Sequence, residues 1–326
     1  MSAIVDDIND VLVAKHRQLI LNALNLKGSD PDRPTLFGLI DWSNPPGPKG
    51  FEDQIQVSTN ASAGTFSEGG NYNAAGRAEY VDFVLGHSRY HFVIEATESQ
   101  LAKLDVAGPM RQDKIADFLA KQIEAGSEAV IDVMENDLIV NTPSIDPDGF
   151  VGLDYIASPT NTYGTVNATT YTNTGAILTA VGGALTLAGI DSLANTFEDT
   201  NGGKFNMCLT SRSQLQKYED LAPSTNQVPT PYNVTVTGPD GREREYSVGY
   251  TKHWYRGRPV FAIQGYPTDV FDLIDTRNMQ GQILRNWKIK KFDQIEADKV
   301  RWVVTLELVF VLRNRRKSIA RLDGLT

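Results

Sequence analysis

Apolar residues at Ile4, Ile8, Val11, Leu12 and Leu19 keep the spacing of one helix face and predict a helix from Ile4 to about Leu26. Two breaker segments follow, GSDPDRP and SNPPGPKG, with a short apolar piece from Leu36 to Trp42 between them. Helix, tether and strand in that order describe an arm, not a compact core. From Phe51 to about Glu95 the pattern changes to strand-like runs, FEDQIQV and AEYVDFVLGHSRYHFVIEA, around a middle rich in Ser, Gly, Asn and Ala. Tyr80, Phe83, Val84, Tyr90, Phe92 and Ile94 give the second run its β-branched and aromatic residues. The segment predicts a long two-stranded hairpin with a polar tip. An isolated hairpin is marginal in water, so a neighbouring subunit is its natural support.

The strongest helical pattern runs from about Met110 to Val140. Ile115, Phe118, Leu119, Ile123, Val130, Met134 and Leu138 form one apolar stripe, and Gly126 leaves room on it for a close crossing element. Asp113, Lys114, Asp117, Lys121 and Glu124 fill the other face; Pro109 precedes the helix and NTPSIDPDG ends it. Such a helix is about 45 Å long and acts as a spine. Short strand and turn material follows. Helices are predicted for Ala184 to Phe197 and Ser211 to Leu221, with a short buried strand at Phe205 to Leu209, giving an α/β layer. Ser224 to Glu245 reads as a polar surface loop with a hairpin turn at Gly238 to Gly241, and RPVFAI and DVFDLID as further strands, Pro259 marking an edge. Arg301 to Leu312 is the clearest strand. Trp302, Val304, Leu306, Leu308, Phe310 and Leu312 share one face; the other begins with Arg301, Thr305 and Glu307 and then turns apolar.

Composition narrows the function classes. With 326 residues, 41% hydrophobic and 22% charged, the chain is an ordinary globular protein of one large domain or two interleaved ones. A net charge of -9 argues against a general nucleic-acid-binding surface. The single cysteine, Cys208, excludes an internal disulfide and a Cys-based zinc site, and its apolar run predicts a buried, inert thiol. No basic region precedes an apolar run at the N-terminus, so no signal peptide is expected. The longest weakly polar stretch, Ala176 to Ile190, is too short and glycine-rich to span a bilayer.

Catalytic chemistry is hard to find. His87 and His91 have the spacing of a helical zinc pair, but their run reads as a strand, where positions four apart lie about 13 Å from each other. No G-x-S-x-G elbow or G-K-[ST] phosphate loop occurs, and VGG at Val181 and NGGK at Asn201 lack the context of a phosphate cradle. No catalytic, cofactor-binding or metal-ligating residue is therefore assigned. One charge cluster stands out: Arg313, Arg315, Arg316, Lys317 and Arg321. It reads either as a solvated strand exit with salt bridges to acidic neighbours or as a contact for acidic partners or packaged DNA phosphates.

The order arm, hairpin, spine helix, α/β domain and terminal strand resembles the Hong Kong 97-type major capsid protein of tailed phages, over nearly the whole chain. The pieces that carry the resemblance are Gly152 to Ile156 with the Thr162-Tyr163-Gly164 turn and Ala168 to Tyr171; Asn206 to Ser211 leading into Gln214 to Leu221; Val248-Gly249-Tyr250 with Tyr255 to Phe261; and Arg313 to Arg316 with Leu322 to Leu325. The resemblance implies an α+β capsid fold with an N-arm (1–50), an extended β-hairpin E-loop (51–95), a P-domain with the long spine helix (96–165 and 285–326) and an α/β A-domain (166–284). It implies no enzyme and no cofactor, but a subunit that self-assembles, as hexamers and pentamers, into an icosahedral head shell around double-stranded DNA. Portal and possible scaffolding or cement proteins would be its partners. It would be made in the host bacterial cytoplasm and reside in the virion capsid, without membrane contact or sequence-specific DNA binding. No charged helical segment stands ahead of the arm, so no fused scaffolding domain is expected. Some relatives join subunits by an isopeptide bond from a hairpin lysine; here Gly50 to Ala102 contains no lysine, so no such cross-link is expected. The alternatives are an encapsulin-like nanocompartment shell, a β-rich tail or decoration protein without the long helix, and an α/β hydrolase or transferase, which would need a catalytic cluster the chain lacks.

Overall fold

The computed structural model describes residues 36–37, 40–43, 51–58, 78–97, 111–221, 230–237, 243–251, 253–292 and 299–326. The helix expected from Ile4 to Leu26 and the polar tip of the hairpin lie outside them. In chain order the elements are β1 (Asp41–Ser43), β2 (Phe51–Gln56), β3 (Tyr80–Leu85), β4 (Ser88–Thr97), α1 (Arg111–Val140), the single turn α2 (Leu153–Ile156), β5 (Thr162–Tyr163), β6 (Val166–Asn167), β7 (Ile177–Gly183), α3 (Leu187–Asn195), β8 (Met207–Thr210) and α4 (Arg212–Leu221). There follow β9 (Thr230–Thr237), β10 (Glu243–Thr251), β11 (Trp254–Tyr255), β12 (Arg258–Ala262), β13 (Phe271–Ile274), β14 (Met279–Phe292), β15 (Lys299–Leu312), the short α5 (Arg315–Ser318) and β16 (Ile319–Leu325).

The long helix forms as its stripe requires. Ile123, Val130, Met134 and Leu138 are buried, Phe118 is half-buried, and Lys121 and Glu124 face solvent. The side chains of Ile115, Leu119, Asp113, Lys114 and Asp117 lie outside the described residues. α1 packs on β4, and Gly126 is the point of closest approach: a Cβ there would collide with the Phe92 ring. The absent side chain lets an aromatic of the sheet sit against the helix backbone.

β4 belongs to a four-stranded sheet of order β1-β14-β15-β4, in which β1 runs parallel to β14 and the other pairs are antiparallel. On β15 the row Val304, Leu306, Leu308, Phe310 and Leu312 is buried and Trp302 half-buried, as the alternation predicts. The opposite row starts exposed at Arg301 and ends buried at Val309 and Val311.

The run AEYVDFVLGHSRYHFVIEA is two strands, not one. β3 pairs with β2 in a separate ribbon, whereas β4 pairs with β15 from Ser88↔Leu308 to Thr97↔Lys299. The chain changes sheets at Gly86-His87. His87 thus lies in the link and His91 on the outward face of β4.

A second sheet of order β11-β12-β8-β13-β16-β7 carries α3 and α4. Its central strands are buried on both faces. Met207, Leu209, Ile274 and Ile319 join the core beneath α1, while Cys208, Phe271, Leu273 and Ala320 join a second core with Ile190, Leu193 and Phe197 of the helical layer. Two-sided burial fits the apolar stretch Met207-Cys208-Leu209 and the strand Phe271–Ile274, in which Asp272 is buried as well. α3 begins with Thr186, whose Oγ1 accepts from Gly189 N at 3.1 Å, and passes into a π-helical turn at Thr196–Thr200. Within the expected surface loop at 224–245, Thr230–Thr237 is β9, paired antiparallel with β10; residues 224–229 and the turn at Gly238 to Gly241 are outside the described residues. β7, β14 and β16 are strands that the periodicity did not announce. Among the described residues no helix is long and apolar enough to cross a membrane.

Candidate assembly surfaces

The C-terminal basic cluster folds inward. Arg321, on β16, is 4% exposed and grips Asp272 of β13 with two bonds, Nε to Oδ1 at 2.8 Å and Nη2 to Oδ2 at 2.7 Å. Its Nη1 reaches Asp154 of α2, and the Tyr266 hydroxyl donates to Asp272. Burial works against the Arg321 charge, but the paired Asp272 outweighs it and the guanidinium stays protonated. Arg315, equally buried, donates to backbone carbonyls: Nε to Thr174 O at 2.7 Å and Nη2 to Asn161 O at 2.8 Å. Arg316 reaches Thr172 O and Asn201 Oδ1, and Arg313 lies over the Phe51 ring with Asp53 at 3.8 Å. Of the five, only Arg313 and Lys317 are exposed. The DNA-phosphate reading fails for Arg315 and Arg321, which hold the 154–174 segment and β13 to the C-terminal strand instead. Cys208 is fully buried and burial pushes its thiol up, as its apolar run predicts for an inert sulfur.

A second polar network ties the end of α1 to the sheet. Phe150 N donates to the Tyr90 hydroxyl, which donates to Asp137 Oδ2, each at 2.9 Å; Asn141 Nδ2 donates to Phe150 O at 2.7 Å and Asp146 O at 3.0 Å. Burial, and then nearby Asp146, raise the Asp137 carboxyl above its usual range, although the Tyr90 bond opposes this. Residues Leu36 and Phe37 are anchored nearby. Glu135 of α1 accepts from Phe37 N at 2.7 Å and also from Leu36 N. Trp42 stacks on Phe37 and lies so close over Gly281 of β14 that a Cβ there would strike its ring.

Two exposed surfaces are opposite in charge. The β2–β3 ribbon buries Phe51, Phe83 and Leu85 in the protein's own core, with Ile55 and Val81 half-buried beside them. Its other side, Glu52, Gln54, Gln56, Tyr80, Asp82 and Val84, is exposed, and neither strand contains a basic residue. The outward side of β4, β15 and β14 carries the second surface. Arg89 and Arg285 flank Glu307 at 3.8 and 3.5 Å, and Lys299 and Arg301 flank Glu95 at 2.9 and 2.7 Å. Lys288 and Lys290, both exposed, have no ion-pair partner among the described residues. Sequence reasoning missed this surface because its cations are scattered between residues 89 and 301. The available signal was the KIKK run of β14, whose alternation sends Lys288 and Lys290 to one side.

Comparison with solved structures follows the same lines. The cyanophage A-1(L) capsid asymmetric unit superposes with a TM-score of 0.64 at 17% identity, covering 89% of this chain and 92% of that one. The capsid of a native GTA particle gives 0.58 at 11% identity, over 90% of each chain. The SrpI encapsulin of Synechococcus elongatus PCC 7942 gives 0.50 at 14% identity, over 89% of this chain and 86% of that one. No protein-family model and no curated protein sequence matches the chain. Nearly complete coverage in both directions, with mixed helix and sheet throughout, establishes that this chain has the tailed-phage major capsid protein fold.

Proposed function

We propose that the protein is a major capsid protein, a structural subunit that self-assembles into an icosahedral head shell enclosing double-stranded DNA. The observation that carries this reading is the match to phage capsid subunits over about nine-tenths of both chains. On it, residues 1–50 are the N-arm, the β2–β3 ribbon belongs to the E-loop, α1 is the spine helix of the P-domain, and 166–284 form the A-domain. The pairing of β4 with β15 supports ending the E-loop near Leu85 and giving β4 to the P-domain, instead of the boundary at residue 95. The subunit works by burial and charge complementarity between copies, as hexamers and pentamers, with a portal and possible scaffolding or cement proteins as further partners. Many modest contacts in a closed symmetric lattice add up to a strong shell. No catalytic step is assigned.

Negative-stain microscopy and sedimentation of the purified protein test this. Closed shells, capsomers or tubes are expected; small discrete particles at high concentration would overturn it. The encapsulin reading rests on the weaker 0.50 superposition. It predicts particles that carry protein cargo and no DNA, which nuclease-protected DNA in particles from the native host would refute.

A further inference from the structure

The only Asn-Gly pair in the chain, Asn201-Gly202, follows the π-helical turn that ends α3. Such a pair can lose its side-chain amide by a defined route. The Gly202 nitrogen gives its proton to water and attacks Asn201 Cγ. The new N–C bond forms as the Cγ–Nδ2 bond breaks, and ammonia leaves. Water then opens the cyclic imide at either carbonyl and leaves aspartate or isoaspartate. We propose that Asn201 is a modification site of this kind, kept closed by Arg316, so that the amide is lost only when the C-terminal segment leaves the end of α3. The inference goes beyond the shell-subunit reading and does not depend on it.

Both ends of the carboxamide are held. Arg316 Nη2 donates to Asn201 Oδ1 at 2.8 Å, and Asn201 Nδ2 donates to Thr196 O at 2.8 Å. The Asn201 backbone is helical, with φ -106° and ψ -5°, which turns the Gly202 nitrogen away from Cβ. Ring closure needs a large rotation about the Cα–C bond, and the two side-chain bonds oppose it. The remaining features favour the reaction. Gly202 is exposed to water, its φ is +63°, and no atom stands within 4 Å of the place a Cβ would take. No side chain therefore screens the attacking nitrogen. Arg316 comes from α5, 115 positions away, and its Nη1 donates to Thr172 O at 3.0 Å. Beside it Lys204 N donates to Lys317 O at 3.4 Å. The lock thus belongs to the seating of the C-terminal segment and not to the turn alone. The product does not fit back. Gly203 N donates to Phe197 O at 2.9 Å, and Gly203 lies so close to the buried Phe197 ring that a Cβ would collide with it. Isoaspartate adds a carbon to the main chain beside this contact, and aspartate loses the donor to Thr196 O. The change is therefore a one-way record of an opening.

The test follows hydrolysis of the Asn201 amide by peptide mass spectrometry in the full chain, incubated native or in urea. The native protein should react more slowly than the chain in urea. Arg316→Ala, shown to be folded by far-UV circular dichroism, should react about tenfold faster than the unaltered native protein, since a hydrogen bond from a charged donor is worth about that factor in a local opening equilibrium. Arg316→Lys keeps a cationic donor and should fall between the two. Asp323-Gly324 of β16 isomerises through the same ring closure and serves as the internal control. An unchanged rate there, with faster loss at Asn201, separates release of the lock from general unfolding. Equal Asn201 rates in the unaltered protein and folded Arg316→Ala would overturn the proposal, and so would equal rates in native buffer and in urea. If both sites accelerate together, Arg316→Ala has unfolded and Arg316→Lys decides. Faster loss at Asn201 with Asp323 unchanged then supports the lock, and no acceleration overturns it.

Discussion

Two groups of cations in this protein make opposite use of the same side chains. Arg315 and Arg321 are close in sequence and lie within the molecule, each holding groups from remote segments. Arg89 is remote in sequence from Arg285, Lys288 and Lys290 of β14, yet all four lie on one open sheet face. The first group is closed to solvent and its partners are fixed. The second is half-neutralised by Glu307 and has capacity left over. Whether a run of basic residues makes a basic surface is therefore decided by the register and burial of each position. The difference predicts that inward positions fail through folding and outward ones through association.

The largest effect is expected on β15, where inward and outward positions alternate. Leu308 is 2% exposed, so Leu308→Asp buries an unpaired charge and should cost about 3 kcal/mol or more, enough to leave the protein unfolded or aggregated. Thr305→Asp, half-buried on the outward row of the same strand, loses a long bond to Lys288 O and strand propensity and should still fold, with a change of about 1 kcal/mol. Urea titration followed by circular dichroism separates the two. A soluble, cooperatively folding Leu308→Asp protein would mean that this row is not core.

Next in size is the buried arginine. Arg321→Ala strands Asp272, which is fully buried, and should destabilise by about 3–5 kcal/mol. Arg313→Ala loses only a partly exposed ring contact and a long ion pair, about 1 kcal/mol at most. Equal denaturation midpoints for these two variants would erase the distinction between the inward and outward members of the cluster.

How much of this was legible in the sequence follows from what periodicity can encode. α1 is amphipathic over its length and β15 alternates cleanly, so each announced its type and its buried face. The strand Met207–Thr210 showed itself as an apolar run because both its faces are buried. β16 did not, since Arg321 and Asp323 break its pattern and the Arg321 partner, Asp272, lies 49 positions away. β7 is exposed at Thr179 to Gly182 and carries no alternation to read. β14 is interrupted by register shifts between Ile283 and Lys288, which scramble its period. The switch at Gly86-His87 was hidden because β3 and β4 are both rich in β-branched and aromatic residues, and their different partner strands are not written in either run. The basic face was legible only in the KIKK run of β14; its other cations are brought to it by register from β4 and β15.

A smaller effect separates the two carboxylates that frame α1 and the sheet. Asp137 has a raised pKa in the folded protein, through burial and then Asp146. The native state therefore holds that proton more tightly than the unfolded chain. Its stabilising contribution is full below the ordinary carboxylate value and is lost as pH rises through the raised folded value. Glu95, bonded by Lys299 and then Arg301, is lowered, so its contribution is present above the ordinary value and lost as pH falls through the lowered one. Asp137→Asn keeps an acceptor for Tyr90 and removes the penalty. It should raise stability at pH 7, with the gain vanishing as pH falls below the ordinary carboxylate value. Denaturation midpoints across that range check it; a gain that persists at the acid end would assign the effect to packing.

The smallest expected effect concerns Lys288. Its ammonium stands on the outward face with no ion-pair partner among the described residues, so Lys288→Ala removes no internal bond. The isolated subunit should change by less than about 0.5 kcal/mol in urea titration, in contrast to Arg321→Ala on the neighbouring sheet. If this face contacts another subunit in the proposed shell, what should change is the response of assembly to salt. Exposed charges are screened over about 10 Å at 0.1 M ionic strength, so removing one from a charged contact flattens the salt dependence of its formation. Light-scattering yields of particles at increasing sodium chloride should fall less steeply for Lys288→Ala than for the unaltered protein. A parallel fall, with the same subunit stability, would show that this ammonium faces solvent in the assembled shell as well, and that the charge capacity of the sheet face belongs to Arg89, Arg285 and Lys290.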